Sequence, residues 1–523
     1  MDIKQLENWL WEAACSLRGA MDAPKYKDYI LPLIFVRRLS DVFDDELERL
    51  ATELGDKETA LKVVKKDHSL VRFYIPVQAR WENIRKVTTK IGECLTDTMH
   101  LIAKENTKLQ GVIDIVDFNA SVSGERILPD AKLSVLIEIL GRKEYRLGLK
   151  DVEPDIFGRA YDYLLRKFAE GQGQSAGEFL TPREVGILIA RILNPKQGQS
   201  AYDPACGTAG LLVKLQLVLK EREKKKIARP LQLFGQEQSH TTYAMAWMNN
   251  IIHDMEGDIA IGDTMRNPKF LEKSSLRKFD LVAANPMWNQ DGFDEKFYDE
   301  DPYNRFGAGY PPASSADWGW VQHMFASLND KGRAAIVLDT GAVSRGSGNQ
   351  GSNKEKVIRK WFVDHDCVEG VLLLPENLFY NTPAPAILLI LNKAKPKERQ
   401  GKIVLVNAST RFKKGKPKNY IPDGFDEDGK YDLAHDVIRQ TADAFAKGQD
   451  AENFVKVITT KEAVKNDYNL SPSRYVETAD ADTYRDVGEI LGELVGLEHE
   501  AKAVDKELKG IFTKLGIKPE VRV

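Results

Sequence analysis

The sequence predicts an α/β fold: a mostly parallel sheet whose last strand is antiparallel, preceded by a helical domain and followed by a C-terminal helix. Up to about residue 165, apolar residues recur at spacings of three and four, as in Leu6, Leu10 and Ala14, which is typical of amphipathic helices. Between residues 178 and 407, short apolar runs alternate with amphipathic stretches, which is typical of βαβ units.

The boundaries of these parts follow from changes in composition. The glycine- and glutamine-rich segment Gly171–Gly177 predicts a loop. A basic loop, Arg411–Lys418, follows the last strand, and apolar residues from Val487 to Leu515 form heptads, as a coiled-coil seam requires. Such a seam must be buried, against a partner or against the chain's own domain. We therefore expect a helical domain (1–170), an α/β domain (171–410), an extension (411–476) and a coiled-coil-like helix (477–523).

Seven strands are expected in the α/β domain, and amphipathic helices between them. About ten residues join the last two strands, too few for a crossover helix, so these two strands should be antiparallel. The predicted strands are Ser200–Pro204, Leu231–Glu237, Asp258–Gly262, Phe279–Ala284, Gly332–Asp339, Val368–Leu374 and Pro385–Leu391. The clearest helical patterns are Gly210–Glu223, Thr241–His253 and Asp317–Leu328.

Composition limits the possible functions. Because the formal charge is −3, the chain would bind nucleic acid through a local basic patch or together with a partner that supplies the basic surface. The four cysteines form no C-x-x-C pair and the eight histidines show no ligand spacing, so we expect no metal site and a reducing compartment. No apolar run approaches the ~20 residues that span a bilayer. A cytoplasmic protein without a membrane partner is expected.

Three strand ends carry candidate ligand-binding residues. The loop Asp203–Gly210 follows a strand and opens a helix, where glycines allow close backbone approach and free N–H groups face a ligand. Glu237 ends the next strand, where an acidic side chain can accept both hydroxyls of a ribose. Asp263 follows the third strand and could bind an amino group. Each feature also has an alternative without a ligand: a tight turn for the loop, a solvated acid for Glu237 and a helix N-cap for Asp263.

The fourth strand leads into Asn285-Pro286-Met287-Trp288, which resembles the Asn/Asp/Ser-Pro-Pro-aromatic motif of amino-methyltransferases. An exocyclic amine on a base is a poor nucleophile, because its lone pair is delocalised into the ring. The Asn285 amide oxygen and the Pro286 carbonyl would accept its hydrogens, and the face of Trp288 would hold the base. A second proline is common where Met287 stands, so we expect an altered loop rigidity with the chemistry retained.

Further segments resemble the modification (M) subunit of Type I restriction–modification systems. The matching segments are Glu178–Arg183 before the sheet, Thr208–Gly210 as cofactor loop, Glu237 as ribose acid, Arg305–Gly307 with Pro311–Pro312, Ala316–Trp318, and the signature Asn466–Tyr475. The resemblance implies a Rossmann-like class I methyltransferase sheet that binds S-adenosylmethionine. With the strand-end acids, the expected cofactor-binding residues are Glu178, Phe179, Leu180, Thr181, Pro182, Arg183, Asp203, Thr208, Ala209, Gly210, Glu237 and Asp263.

The resemblance also implies partners. An M subunit transfers methyl to N6 of a flipped adenine in double-stranded DNA, together with a specificity (S) subunit and a restriction (R) subunit. A second M subunit joins it, in an assembly of two M subunits with one S subunit. No G-x-x-x-x-G-K-[ST] motif for a motor ATPase occurs in the sequence, and the terminal heptads offer a helix on which the S subunit could dock.

Three alternatives compete with this hypothesis. The accepting amine could be cytosine N4 or a protein glutamine, although Asn285 and the long helical N-terminus favour adenine. Met287 is the only support for a silent scaffold that binds cofactor or DNA without transferring methyl. A nicotinamide dehydrogenase is disfavoured, because the glycine loop does not read G-x-G-x-x-G.

Overall fold

The computed structural model describes residues 3–19, 25–152, 154–172, 181–224, 227–348, 353–380, 382–426 and 430–477, together with five single positions between 492 and 504. The chain divides into two units, Met1–Val476 and Glu477–Val523. The terminal helix expected over residues 477–523 lies outside the described residues, apart from Glu477 and from those five positions, the latter being helical.

The N-terminal part is helical, as predicted. Its helices are α1 (Ile3–Cys15), α2 (Tyr26–Leu54), α3 (Lys57–Lys66), α4 (Trp81–Ile84), α5 (Ile91–Glu105), α6 (Asp130–Leu140) and α7 (Pro154–Gln172), and a hairpin of β1 (Ser121–Val122) and β2 (Glu125–Arg126) precedes α6. Apolar side chains surround α2 on most faces, so this helix forms the centre of the bundle. Gly55 ends α2 in a left-handed conformation that other residues disfavour, and its N–H donates to the Ala51 carbonyl.

The second part alternates strands and helices. In chain order these are α8 (Arg183–Leu193), β3 (Ser200–Asp203), α9 (Gly210–Arg222), β4 (Gln232–Glu237), α10 (His240–Ile252), β5 (Gly257–Ile261), β6 (Leu271–Glu272), β7 (Ser275–Leu276), β8 (Phe279–Ala284), α11 (Glu295–Asp299), α12 (Asp317–Ala326), β9 (Leu328–Asp339), α13 (Lys354–Asp364), β10 (Val368–Leu373), β11 (Ala386–Asn392), β12 (Lys402–Asn407), β13 (Asp423–Phe425), β14 (Tyr431–Asp436), α14 (Val437–Lys447), β15 (Val455–Thr459) and α15 (Thr460–Lys465).

Nine of these strands form one sheet, in the order β15-β12-β10-β11-β9-β8-β3-β4-β5. All seven predicted strands are present, and β11 runs antiparallel to both β9 and β10, as the short connection indicated. The sheet does not end with that reversed strand, which corrects the prediction. Strand β12 adds parallel to β10, and β15 adds antiparallel to β12. The segment 411–476 therefore contributes a strand to the same sheet.

The helical part packs directly on the sheet domain. Helix α10 of the sheet domain buries Met245 and Met248 in the same hydrophobic cluster as the N-terminal helices. The Lys214 ammonium on α9 forms an ion pair with the Asp162 carboxylate on α7. No helix in the described ranges is both long and apolar enough to cross a membrane.

A candidate active site at the carboxyl ends of the parallel strands

Strands β3, β4, β5 and β8 end at the same edge of the sheet, and a cavity of about 490 Å³ lies there. This volume is typical of a pocket for a small molecule or cofactor, for which roughly 300–1,000 Å³ is usual. The loops after the four strands supply most of the wall: Pro204, Ala205, Gly207, Thr208, Glu237, Gln238, Ser239, Gly262, Asp263, Thr264, Asn285 and Met287. Sequence-predicted residues from all four strand ends thus meet at one cavity.

The loop after β3 is held tightly from several sides. Gly207 and Ala209 both have positive φ, 53° and 61°, which turns the chain sharply into α9. The Thr208 carbonyl accepts a hydrogen bond of 2.9 Å from the Asn249 side chain on α10. Thr208 faces the cavity, whereas Ala209 is buried in the core beneath it. The strained turn therefore brings backbone to the cavity wall, as the glycine loop predicted.

Asp203 supports this loop from below. Its carboxylate accepts a 3.0 Å hydrogen bond from the backbone N–H of Ala205, and the residue is buried. Burial raises the pKa of Asp203 to about 8, and the negative charge of Glu237 adds to the rise. Asp203 does not line the cavity, so in this structure it stabilises the loop after β3.

Glu237 lies where β4 meets the cavity. One carboxylate oxygen accepts a 3.0 Å hydrogen bond from the Gly207 N–H, and the other accepts a 2.8 Å bond from the Ser239 N–H. Each carboxylate oxygen offers two lone-pair sites, so the acid can hold the loop and still accept from a ligand. The Glu237 side chain therefore links the end of β4 to the glycine loop after β3, the two features that the sequence analysis singled out first.

Asp263 also lines the cavity, and its carboxylate is engaged locally. Oδ1 accepts hydrogen bonds from the N–H groups of Met265 and Arg266, at 2.9 and 3.2 Å. The Arg266 guanidinium lies 3.5 Å from Oδ2. Asp263 therefore caps a turn and faces the cavity at the same time, which combines the two alternatives that the sequence left open.

The tetrapeptide after β8 forms one side of the cavity. The Asn285 amide nitrogen donates a hydrogen bond of 3.1 Å to Thr181 Oγ1, and its oxygen accepts one of 3.1 Å from Trp288 Nε1. Trp288 packs edge-on against Phe379, with ring centroids 5.1 Å apart. Met287 is 41% exposed and lines the cavity. The amide of Asn285 is therefore fixed on both sides, while one lone pair of its oxygen stays available.

A partly buried ion-pair network holds Asn289, the residue after Trp288. Its N–H donates to Asp317 at 2.8 Å, and its side chain donates to Asp339 at 2.9 Å. Arg345 bridges the same two carboxylates, both at 2.8 Å, and also pairs with Glu355. Burial raises the pKa of Asp317, and the hydrogen bond from the Asn289 N–H and the charge of Arg345 oppose the rise. This network anchors the chain just after the tetrapeptide Asn285–Trp288.

The remaining predicted residues divide between two places. Thr181, Pro182, Arg183 and Gly210 line a second cavity of about 200 Å³, which shares Thr208 with the first. Arg183 forms a 2.7 Å ion pair with Asp423. Pro286 and Trp288 lie beside the larger cavity without lining it. Glu178, Phe179 and Leu180 lie outside the described residues.

Several cavity residues were not predicted from the sequence. Lys27 of α2, with Leu165 and Phe168 of α7, brings the helical part into the cavity wall. Trp320 also lines the cavity and donates a 3.0 Å hydrogen bond to the Gln290 side chain. The apolar residues look like ordinary core in the sequence, and only the tertiary packing places them here. Within the described part of the chain, no group of three or more His, Cys, Asp or Glu could hold a metal ion.

The sheet order and the pocket define the class of the protein: it has the Rossmann-like class I methyltransferase fold, with a helical N-terminal domain. The family model described as N-6 DNA Methylase matches residues 152–483, and that described as HsdM N-terminal domain matches residues 6–140. The chain belongs to the family of Type I restriction enzyme methylase subunits.

Named relatives and a solved structure agree with this assignment. The chain is 33% identical over 496 residues to the Type I restriction enzyme MjaVIII methylase subunit of Methanocaldococcus jannaschii, covering 93% of this chain and 81% of that protein. It is 29% identical to the HindI methylase subunit of Haemophilus influenzae, with coverages of 78% and 90%. A crystal structure of a type I restriction-modification methyltransferase subunit from Streptococcus thermophilus superposes with a TM-score of 0.75 at 26% identity, covering 91% of this chain and all of that one.

Proposed function

We propose that this chain is an adenine-specific DNA methyltransferase that transfers a methyl group from S-adenosylmethionine to N6 of an adenine flipped out of double-stranded DNA. One observation carries the proposal. Asn285 of the amino-methyltransferase motif lines the same cavity as Glu237 and the loop residue Thr208. An acceptor for the amine and a pocket for the donor are therefore adjacent, as an in-line transfer requires.

The residues present suit S-adenosylmethionine. The volume of the larger cavity matches a nucleoside-sized ligand, and two carboxylates face it from neighbouring strands. Glu237 would accept the ribose hydroxyls, Asp263 would accept from the adenine amino group, and Thr208 with Thr181 would lie at the methionine end. The cofactor supplies an electrophilic methyl group on a sulfonium, and the chain's own residues hold and activate the amine that accepts it.

The chain's own part is to hold and activate the amine. Asn285 Oδ1 and the Pro286 carbonyl would accept the two N6 hydrogens, which favours a pyramidal nitrogen and stabilises the charge that develops on attack. Thr181 and Trp288 keep the Asn285 amide from rotating. No histidine lines the cavity in the described residues, and burial lowers the pKa of nearby His323 well below its usual range. Activation by hydrogen-bond acceptors needs no strong proton acceptor. The adenine itself must leave the duplex to reach the cavity.

The partners proposed are those of a modification subunit: an S subunit that reads the sequence, an R subunit, and a second M subunit. Three predicted seam positions of the terminal heptads, Leu494, Leu497 and Val504, are 55%, 63% and 54% exposed. Exposed apolar residues at heptad spacing favour a helical partner. The chain's net charge of −3 fits a subunit that shares DNA recognition with a partner.

The test is methyl transfer by the full chain, assembled with its S subunit, to duplex DNA, with mass analysis of the nucleosides. We expect N6-methyladenine from the wild type and a loss of at least about 100-fold in rate from Asn285→Ala, at unchanged S-adenosylmethionine affinity. N4-methylcytosine as the product, or methylated glutamine in added protein, would assign another amine. Cofactor binding without any methylated product would make the subunit a silent scaffold.

A further inference from the structure

We propose that the basic hairpin Lys413–Tyr420 binds backbone phosphates of the DNA duplex beside the flipped adenine. The proposal rests on the proposed function, because it assigns a DNA contact to that active site. The sequence of residues 411–420 contains five cations and no carboxylate, in a chain whose net charge is −3. The hairpin is closed by two hydrogen bonds between the backbones of Lys413 and Tyr420, at 2.9 and 3.1 Å.

The hairpin is fixed to the segment that follows β10. The Asn419 N–H donates to the Asn377 carbonyl at 2.9 Å, and the Asn419 side chain donates to the Glu376 carbonyl at 3.1 Å. The Lys418 ammonium donates to Asn377 Oδ1 at 3.1 Å and to the Thr382 carbonyl at 3.3 Å. The Lys418 ammonium thus binds the hairpin to the segment between β10 and β11, and this segment determines where the hairpin lies.

That segment leads directly to the catalytic tetrapeptide. Phe379, two residues after Asn377, is the ring against which Trp288 packs, with centroids 5.1 Å apart. Trp288 in turn holds the Asn285 amide. A short chain of contacts therefore connects the hairpin with Asn285, the residue proposed to accept the N6 hydrogens, so the hairpin lies in the same region of the molecule as the proposed active site.

Three cations of the hairpin remain available. Lys413, Lys414 and Lys416 are exposed, and none of them forms an ion pair with another described residue. Exposed lysines close to one another are not stabilised by their mutual interaction, because like charges repel. A cluster of three is stabilised when it meets closely spaced anions, and duplex DNA carries about one phosphate charge per 1.7 Å of its axis. The charge pattern therefore fits the backbone of a duplex.

The experiment compares the full-length wild type with a hairpin variant, Lys413→Gln, Lys414→Gln, Lys416→Gln. A matched control removes three exposed lysines near the amino ends of β9 and β12: Lys331→Gln, Lys397→Gln, Lys402→Gln. Binding to a duplex of random sequence is measured over a range of salt concentrations, and thermal unfolding and S-adenosylmethionine binding report on folding. A third variant, with arginine at the three hairpin positions, keeps the charge.

We expect the hairpin variant to reduce the slope of log K against log [salt] by about 2 to 3, since each lost phosphate contact removes about 0.9. Its Kd for the duplex should rise at least about tenfold at low salt, while the arginine variant and the control stay within about twofold of wild type. In methyl transfer with the S subunit present, KM for DNA should rise far more than kcat falls.

An unchanged salt slope would overturn the proposal. If the hairpin variant instead lost its S subunit with that slope unchanged, the hairpin would be a protein contact, which equally overturns it. These outcomes differ from failure of the proposed function, in which the wild type itself would transfer no methyl. The salt slopes can be compared in that case too, so the hairpin is tested either way.

Discussion

The indole nitrogen of Trp288 donates a 3.1 Å hydrogen bond to the side-chain oxygen of Asn285. The aromatic residue of the motif therefore orients the amide as well as offering a ring. Trp288→Phe keeps most of the ring and removes the donor. We expect kcat for methyl transfer to fall roughly tenfold, about 1.4 kcal/mol, because the amide then samples unproductive rotamers.

The affinity for S-adenosylmethionine should be unchanged in Trp288→Phe, since the indole does not line the larger cavity. Trp361→Phe is the matched control, because Trp361 lies on α13 and stacks on His365 away from the site. A wild-type kcat for Trp288→Phe would show that the hydrogen bond plays no part in catalysis.

Glu237 is expected to dominate the affinity for the methyl donor. Glu237→Gln removes the charge that would strengthen the proposed hydrogen bonds to the ribose, and it disturbs the bonds from Gly207 and Ser239. We expect the Kd for S-adenosylmethionine, measured by calorimetry, to rise about 10- to 100-fold, or roughly 1.5–3 kcal/mol. The exposed Glu256 offers a control, and equal affinities of Glu237→Gln and Glu256→Gln would argue against the assignment.

Asp203 should make stability depend on pH near neutrality. Burial raises its pKa from 3.8 to about 8 in the folded chain. The folded state therefore holds a proton that the unfolded state releases, and this contribution is complete below about pH 3.8, declines as the pH rises, and is lost once the pH passes about 8.

Asp203→Asn mimics the protonated acid at every pH and so removes this dependence. The free energy of unfolding of the wild type relative to the variant should fall between pH 5.5 and 8 by up to about 1.4 kcal/mol per pH unit, and then level off. Denaturant titrations at several pH values measure it. Parallel curves for the two proteins would mean that Asp203 is ionised in the folded chain.

The ion pair between Lys214 and Asp162 should stabilise the packing of the helical part on the sheet domain. The Lys214 side chain is buried. Burial acts to raise the pKa of Asp162, but the Lys214 ammonium, with smaller contributions from His253 and Arg183, lowers it. Lys214→Met leaves the mostly buried Asp162 carboxylate without its ion-pair partner, so we expect a loss of about 3 kcal/mol, the lower end of the range for a buried pair. Lys62→Met, which breaks the exposed pair with Glu58, should cost about 0–1 kcal/mol in the same denaturation experiment. Equal losses would contradict the prediction.

The sequence was most informative where periodicity and strand ends coincide. The strands before Glu237 and Asn285 were recognisable as short apolar runs, and the parallel arrangement then brings their ends to one edge. The reversed strand β11 was predicted from the length of one loop and is confirmed. In each case a local signal determines the geometry.

Other features depend on contacts between residues far apart in the chain. Strand β15 is short and lies 48 residues after β12, so its pairing with β12 leaves no local signal. The hydrogen bond from Trp288 to Asn285 and the network around Arg345 depend on side-chain rotamers. The contributions of Lys27 and Leu165 to the cavity depend on domain packing, which no periodicity reports.

The shared cavity wall has a thermodynamic consequence. Lys27 of α2 and Leu165 and Phe168 of α7 line the cavity together with the loops at the sheet edge, so a ligand bound there would contact both the helical part and the sheet domain. Saturation at 100 times its Kd would add about 2.7 kcal/mol against unfolding, and any motion that separates the helices from the sheet would have to overcome part of that free energy. Occupancy of the cavity would thereby set how readily the helical part can separate from the sheet domain.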